Sequence, residues 1–456
     1  MGMVKNQAKN EVMIMNARQV AFEVLLKIKI DAAYSNNAIT TALVKHKLSN
    51  KDKALVTEIV YGTLTHYKLL HYWLTPYLQG RKKQWIRILL AMTLYQIVYL
   101  DKIPGYAAIH EAVEIAKGRG GEFNGKIVNA VLRKATATDG LRDVNEIEDV
   151  CERLAIWNSH PTWLVRLWMS QFGEERTVAM LRANNERARM VLRTNMNRIS
   201  RDLLISRLAK EGIECLEGML CPSAILVTSG NPLTTDSFKD GLFYVQDEAS
   251  MLPAKALAPT KGAWVLDVCA APGGKTFHLA EMVGELGIVY AHDIYDHKIA
   301  RIKENMERLG INNVETSICL AADLNQLYEP GSFDYILVDA PCSGLGILRR
   351  HPEAKLTKRP EDLDEIAQIQ KEILGISAKF LKPSGRLVYS TCTLNRKENQ
   401  RQIEEFLKEF EDFTLDSDFE SKMPTILKDN FTNGMLQLFP QDFATDGFFI
   451  AALIKK

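Results

Sequence analysis

The first third of the chain repeats apolar residues at the spacing of amphipathic helices. Residues 17–28 follow a period close to 3.6, and residues 87–103 are apolar on nearly every side, which is typical of a buried core helix. No alternation of the kind that strands show occurs in this third. The pattern therefore predicts an all-α bundle over residues 15–140, preceded by a flexible lead over residues 1–14.

The middle of the chain mixes helical and strand-like patterns. Residues 190–195 and 224–230 form short runs rich in β-branched and apolar side chains, and an amphipathic helical segment lies between them. We expect a small α+β linking subdomain over residues 141–235.

From about residue 236, short apolar runs bounded by turn residues alternate with amphipathic helical segments. This alternation is typical of a mostly parallel, doubly wound sheet. Residues 236–456 are therefore predicted to form a Rossmann-like α/β domain. The last apolar run, at residues 448–456, is expected to be an edge strand.

Composition fits a soluble globular protein of two or three domains, because 46% of the 456 residues are hydrophobic and 25% are charged. No apolar run approaches the roughly 18 residues of a membrane span, and the N-terminus lacks a secretory signal pattern. The seven cysteines include no Cys-x-x-Cys pair. That pattern argues against a disulfide framework and a zinc site, and it favours a reducing cytoplasm.

The net charge of the chain is +1, but the charged residues are distributed unevenly. Residues 1–140 hold 20 Lys and Arg against 10 Asp and Glu, whereas the remainder holds 37 against 46. A basic first third predicts a polyanion, such as a nucleic acid, as its partner. The cluster Arg81, Lys82 and Lys83 is a candidate phosphate contact, although it is equally typical of a helix start.

A strand–loop–helix segment of the α/β domain indicates a nucleoside site. Asp267 ends the strand, and small residues in the loop let the backbone approach a ligand at the helix N-terminus. A tight turn alone would need no ligand, but the next strand ends in Asp293, where nucleoside-binding sheets hold a ribose. Asp323 follows the third strand and could accept from an adenine amino group. The absence of a P-loop favours a nucleoside such as S-adenosylmethionine over a triphosphate. The loop comprises Cys269, Ala270, Ala271, Pro272, Gly273, Gly274 and Lys275.

Two further strands deliver thiols to the same sheet edge. The fourth strand ends in Asp339 and continues through Ala340 and Pro341 to Cys342, and the fifth strand ends before Cys392. Ligands bind at the carboxyl edge of open α/β sheets, so both thiols are expected beside the nucleoside site. A single cysteine at a strand end is often structural. Two cysteines at neighbouring strand ends instead indicate a role in catalysis.

These residues carry a family resemblance. The strings DVCAAPGGKT, VDAPCSGLG and STCTLNRKEN resemble motifs I, IV and VI of the RNA cytosine-5 methyltransferases, and VQDEASM resembles their motif X. The helical front end resembles the antitermination-factor B (NusB-like) RNA-binding domain, down to the string GKIVNAVLR. The combination is similar to the bacterial 16S ribosomal RNA cytosine-5 methyltransferase B (Sun) family over essentially the whole chain after residue 15.

The resemblance implies a mechanism and its residues. Cys392 would attack cytosine C6, Asp339 would hydrogen-bond the N3/N4 edge of the base, and Cys342 would help remove the C5 proton or release the adduct. The target would be an unstacked single-stranded or loop cytosine of 16S ribosomal RNA. A cytoplasmic monomer that uses no metal is expected. S-adenosylmethionine would be held by the Cys269–Lys275 loop, Asp293, Asp323 and Asp339, with Lys298 a candidate further contact.

Three alternatives stay open at this point. The catalytic motifs do not distinguish ribosomal from transfer RNA, and only the helical domain favours the former. A non-catalytic RNA-binding or antitermination factor is a second reading, which the intact Cys342 and Cys392 oppose. An amino-methylating enzyme would carry a motif such as [ND]PP[YF] after strand four, where this chain has Asp339-Ala340-Pro341-Cys342.

Overall fold

The structure is a computed structural model, and it describes residues 15–78, 80, 82–137 and 140–456. The predicted lead and Arg81 of the basic cluster lie outside the described residues. In the part of the chain that is described, no helix is long and apolar enough to cross a membrane.

The chain divides into two compact units. The first extends to Ser170 and includes His351–Thr357, and the second contains Gln171–Arg350 and Lys358–Lys456. The first unit is helical, as its periodicity predicts. The helices of its N-terminal segment are α1 (Ala17–Ile30), α2 (Ser35–Lys45), α3 (Asn50–Thr65), α4 (Tyr67–Leu74), α5 (Gln84–Tyr99), α6 (Gly105–Gly120), α7 (Glu122–Ala135), α8 (Val150–Trp157) and α9 (Thr162–Phe172), whose last two residues belong to the second unit.

Helix α5 is the centre of this bundle. Leu89, Leu90 and Leu94 have no exposed surface, in agreement with an apolar pattern that runs around the whole helix. Burial of each such side chain stabilises the fold by about 1.5–3 kcal/mol. The helical bundle predicted over residues 15–140 is confirmed, but the unit also includes α8, which we predicted to lie in the linking subdomain.

The segment His351–Thr357 contributes charged side chains to the interior of the first unit. The Glu353 carboxylate accepts a hydrogen bond from the backbone N–H of Ser35 at 3.0 Å. Lys355 is only 4% exposed, and burial lowers its pKa to about 7. A lysine in the unfolded chain keeps its proton to about pH 10.4. Between these two pH values, the unfolded chain therefore binds a proton that the folded chain has released.

We expect the Lys355→Met variant to lose this pH dependence. In the wild type, the free energy of unfolding should rise by about 2 kcal/mol as the pH increases from 7 to 9, because the unfolded state binds the Lys355 proton that the folded state has released. Urea denaturation of the full chain at both pH values measures the effect, with the exposed Lys47→Met as control. Parallel pH dependences in Lys355→Met and the wild type would contradict a neutral buried lysine.

The second unit begins with a small antiparallel sheet in the order β2-β3-β1-β4. Its fourth strand pairs with β1 and lies beyond residue 235, the predicted end of the linking subdomain. The small sheet therefore takes one strand from the segment that we predicted to be the start of the large domain. The elements are α10 (Glu174–Ala183), β1 (Met190–Thr194), α11 (Arg201–Lys210), β2 (Glu214–Glu217), β3 (Ala224–Ser229), α12 (Asp236–Lys239) and β4 (Phe243–Val245).

The large sheet follows, in the order β11-β12-β13-β9-β8-β5-β6-β7, with β10 paired to β13. Strands β5 to β9 pair in parallel, which confirms the predicted Rossmann-like fold. The elements are α13 (Glu248–Leu257), β5 (Trp264–Asp267), α14 (Gly274–Val283), β6 (Ile288–Asp293), α15 (Asp296–Leu309), β7 (Val314–Ile318), β8 (Phe333–Asp339), α16 (Ala354–Thr357, in the first unit), α17 (Asp362–Ala378), β9 (Leu381–Thr391), α18 (Gln400–Glu409), β10 (Phe413–Leu415), α19 (Phe419–Lys422), β11 (Phe431–Thr432), β12 (Met435–Leu438), α20 (Pro440–Phe443) and β13 (Phe448–Lys455).

The expectation of an edge strand at the end of the chain is wrong. Strand β13 lies inside the sheet, antiparallel to both β9 and β12. Every residue from Phe448 to Leu453 is buried, because both faces of the strand are covered. An uninterrupted apolar run is the pattern of a strand buried on both faces, whereas an edge strand usually carries charges.

Candidate active site

The parallel strands bring the predicted residues to one edge of the large sheet. Asp267, Asp293 and Asp339 are the last residues of β5, β6 and β8, and Cys392 follows the end of β9. A cavity of about 250 Å³ opens beside this edge. The predicted site residues that line it are Cys269, Ala270, Ala271, Pro272, Gly274, Lys275 and Asp339; the others that line it are Tyr244, Val245, Gln246, Asp247, Ser250, Asp267, Arg350 and Asp446.

Five predicted site residues lie outside this lining. Gly273, Asp293, Asp323, Cys342 and Cys392 are not among the residues that border the cavity. The Asp323 carboxylate accepts from Gln326 at 3.1 Å and lies in the segment after β7. The predicted contact of Asp323 with adenine therefore remains a prediction.

The loop before α14 has the close backbone approach that the small residues predict. Gly273 adopts a φ of 101°, and a Cβ there would lie 2.4 Å from the ring of Phe277. Its N–H donates to the carbonyl of Ala270 at 2.8 Å, and the Ala270 N–H donates to the carbonyl of His292. Glycine is required at position 273 both by the left-handed backbone and by the aromatic ring beneath it.

Asp293 ties the second strand to this loop. Its carboxylate accepts from the Ala271 N–H at 3.3 Å and from the Tyr295 N–H at 3.4 Å. Lys298, the candidate further contact, forms an ion pair with Asp293 at 3.2 Å. Lys298 therefore contacts Asp293 and does not itself border the cavity.

The cavity presents unsatisfied acceptors that suit a nucleoside. Asp267 accepts from the Thr276 hydroxyl at 2.7 Å through Oδ2, but its Oδ1 is buried without a hydrogen-bond partner, as is Oε1 of Gln246. Burial, with Asp339 and Asp293 nearby, raises the pKa of Asp267 to about 7. The amino and hydroxyl groups of S-adenosylmethionine are donors of the kind that these oxygens lack. The residues present therefore fit this cofactor.

Lys275 and Ser390 orient Asp339 from two sides. The Lys275 ammonium lies 2.7 Å from Oδ2 of Asp339, and the Ser390 hydroxyl donates to Oδ1 at 2.7 Å. The same ammonium contacts the Ser250 hydroxyl at 3.1 Å. Charge-assisted hydrogen bonds of this kind fix the direction of a carboxylate. Asp339 is therefore pre-oriented at the strand end that leads to Cys342.

The two thiols of adjacent strand ends are in contact. The Sγ atoms of Cys342 and Cys392 lie 3.2 Å apart, although 50 residues separate them in sequence. The hydrogen bond with Cys392, burial, and the charges of Cys392 and Glu398 raise the pKa of Cys342 well above its usual range. Burial also raises the pKa of Cys269, the third cysteine of this edge. Cys342 and Cys269 are therefore held as thiols.

Two groups of buried polar residues near the site were not singled out from the sequence. One is Glu398 with Asn399, both fully buried behind the thiols. The other is Arg350, whose guanidinium contacts Asp247 and Asp446 at 2.7 Å each. Glu398 and Asn399 stand in STCTLNRKEN and Asp247 in VQDEASM, so these strings contained a signal, whereas Arg350 and Asp446 lie outside the quoted strings. Within the described ranges, no group of His, Cys, Asp or Glu is arranged to hold a metal ion.

The parallel sheet, the small-residue loop and the acidic strand ends define the class of S-adenosylmethionine-dependent methyltransferases. Residues 254–454 match the family described as 16S rRNA methyltransferase RsmB/F. Residues 15–137 match the NusB family, and residues 160–234 match the ferredoxin-like domain of RsmF/B-like methyltransferases. The chain belongs to the ribosomal RNA small subunit methyltransferase B family, as the sequence motifs predict.

Relatives match along almost their full length. The chain is 41% identical to the probable ribosomal RNA small subunit methyltransferase B of Bacillus subtilis, over 97% of this chain and 99% of the relative. It is 34% identical to ribosomal RNA small subunit methyltransferase B of Cronobacter sakazakii over the same shares. A solved methyltransferase homologue from Pyrococcus horikoshii has a TM-score of 0.59 and 28% identity, over 68% of this chain and 100% of that one.

Proposed function

We propose that this protein methylates C5 of an unstacked cytosine in 16S ribosomal RNA, with Cys392 as the attacking nucleophile. The observation that carries the proposal is the 3.2 Å contact between Cys342 and Cys392, at the edge where Asp339 is oriented. The relatives support the substrate, because they are named as ribosomal RNA small subunit methyltransferases.

Cys392 is the better candidate for the attacking thiolate because its neighbour is held protonated. Cytosine C5 is a poor nucleophile until a thiolate adds to C6 and converts the ring into an enamine. Cys342 can donate its S–H to a Cys392 thiolate, which stabilises the charge before attack. Asp339 would then hydrogen-bond the N3/N4 edge of the base, with Lys275 holding the carboxylate in place.

S-adenosylmethionine, bound along the Cys269–Lys275 loop, supplies the methyl group. Once Cys392 is bonded to carbon, its negative charge no longer raises the pKa of Cys342. Cys342, which is half-buried, can then pass its own proton to water and, as a thiolate, accept the C5 proton. Loss of that proton breaks the C6–S bond, restores the ring double bond and frees the Cys392 thiolate.

The helical unit supplies the basic surface in this proposal. Lys82 and Lys83 directly precede α5 and are at least partly exposed. Such side chains would contact phosphates and increase affinity without reading sequence. The seven cysteines are all free, which supports a reducing cytoplasm, and we propose that the enzyme acts there as a monomer.

Bisulfite sequencing of total RNA tests this function. A strain that lacks the gene should lose one 5-methylcytosine in 16S ribosomal RNA, and expression of the wild type should restore it. Expression of the Cys392→Ala variant should leave the cytosine unmethylated. Loss of methylation in transfer RNA, with 16S ribosomal RNA unchanged, would assign the same chemistry to the other substrate and overturn the proposal.

A further inference from the structure

A single buried carboxylate joins the two loops that carry the thiols. Glu398 lies between β9 and α18 and has no exposed surface. On one side, it accepts from the residue that follows Cys342: the Ser343 N–H donates at 2.8 Å and the Ser343 hydroxyl at 2.5 Å. Both contacts fix the backbone directly after the first thiol.

The other contacts come from the loop that carries Cys392. The Asn395 amide donates to Oε1 of Glu398 at 3.0 Å, and the Thr393 hydroxyl lies 3.5 Å from the same oxygen. The hydroxyls of Ser343 and Thr393, which each follow a thiol in sequence, are 2.7 Å apart. The two loops are thus joined residue by residue through one carboxylate.

Helix α17 provides a further donor to Glu398. The Gln370 side-chain amide donates to Oε2 of Glu398 at 3.1 Å and to the carbonyl of Pro341 at 2.9 Å. Pro341 precedes Cys342, so the first thiol is held from both sides. A buried carboxylate is costly unless donors surround it, and here donors from four residues do so.

We propose that Glu398 is a positioning residue that sets the Cys342 and Cys392 sulfurs against each other and keeps Cys342 as the proton donor of the pair. The catalytic role of Glu398 rests on the proposed function. The hydrogen bonds by which Glu398 joins the two thiol loops, here called the clamp, do not depend on which RNA is methylated. Glu398 forms its hydrogen bonds with the neighbours of the thiols, so it acts through Ser343 and through its charge.

The Glu398→Gln and Glu398→Asp variants separate the effect of the negative charge from the effect of side-chain length. Glutamine keeps the size but turns one acceptor into an N–H group that faces the existing donors. Aspartate keeps the charge but shortens the side chain by one methylene. Glu405→Gln, on the exposed face of α18, is the matched control. For each protein we would measure kcat and KM with 16S ribosomal RNA and the affinity for S-adenosylmethionine.

A second readout needs no RNA. The pH dependence of iodoacetamide alkylation at Cys342, followed by mass spectrometry, reports the ionisation of that thiol. With the carboxylate charge removed, the midpoint in Glu398→Gln should fall by about 1 pH unit or more, whereas Glu398→Asp should stay near the wild type. A side chain with a purely structural role would not shift this midpoint in that direction.

We expect kcat to fall about 10²-fold in both Glu398 variants, with cofactor affinity and the Glu405→Gln control unchanged. If Glu398→Gln does not fold, Ser343→Ala should lower kcat in the same way by removing the hydroxyl that bridges Glu398 and Thr393. A Glu398→Gln kcat equal to the wild type, or an alkylation midpoint that does not move, would overturn the proposal. A lowered midpoint in Glu398→Gln, with a wild type inactive on 16S ribosomal RNA, would retain the clamp and reject the proposed substrate.

Discussion

The Cys392→Ala variant is expected to lose methyl transfer by about 10⁴-fold or more while it still binds S-adenosylmethionine. Without the sulfur, no covalent addition to C6 can activate C5. Binding should survive because Cys392 is not among the residues that line the cavity beside the loop at residues 269–275. Incorporation of a labelled methyl group measures the first effect, and titration calorimetry with the cofactor measures the second.

A matched cysteine removal controls this experiment. Cys215 is a half-buried free thiol in β2 of the small sheet, so Cys215→Ala should keep wild-type activity. Full activity in Cys392→Ala would reject Cys392 as the nucleophile. Loss of cofactor binding together with activity would show that the substitution disturbs the sheet edge, and Cys392→Ser would then be the variant to assay.

The convergence of the site follows from the sequence because parallel strands end at one edge. Apolar runs that end in Asp339 and just before Cys392 are enough to place both residues on neighbouring strands, and the structure pairs Asp339 with Ser390 of β9. The same reasoning fails for β13. Its uninterrupted apolar run is the pattern of a strand buried on both faces, but the identity of its neighbours β9 and β12 depends on pairing that the local pattern does not encode.

Contacts between loops are the part that sequence could not supply. The Asp446 N–H donates to Asp247, 199 residues away in sequence, and both residues line the cavity. Glu398 likewise contacts Ser343 across 55 residues. Loop conformation is set by close packing and by the satisfaction of buried polar groups, neither of which has a periodicity. The motif strings mark such residues without giving their partners.

The Cys342→Ala variant should stop after methyl transfer and accumulate a covalent protein–RNA adduct. Cys392 would still add to C6, but the C5 proton would lack its acceptor, so the C6–S bond could not break at the normal rate. Turnover should fall about 10²- to 10⁴-fold, the usual contribution of a positioned acid or base. The adduct should appear as a labelled RNA band that remains with the protein on a denaturing gel.

The double variant decides which sulfur forms the bond. Cys342→Ala with Cys392→Ala should give no adduct, because the attacking sulfur is gone. An adduct in Cys392→Ala alone, with none in Cys342→Ala, would reverse the two roles. The geometry favours an adduct in Cys342→Ala: the sulfurs are 3.2 Å apart and the pKa of Cys342 is raised, so Cys342 keeps its proton. Removal of Cys342 should therefore spare addition and impair release.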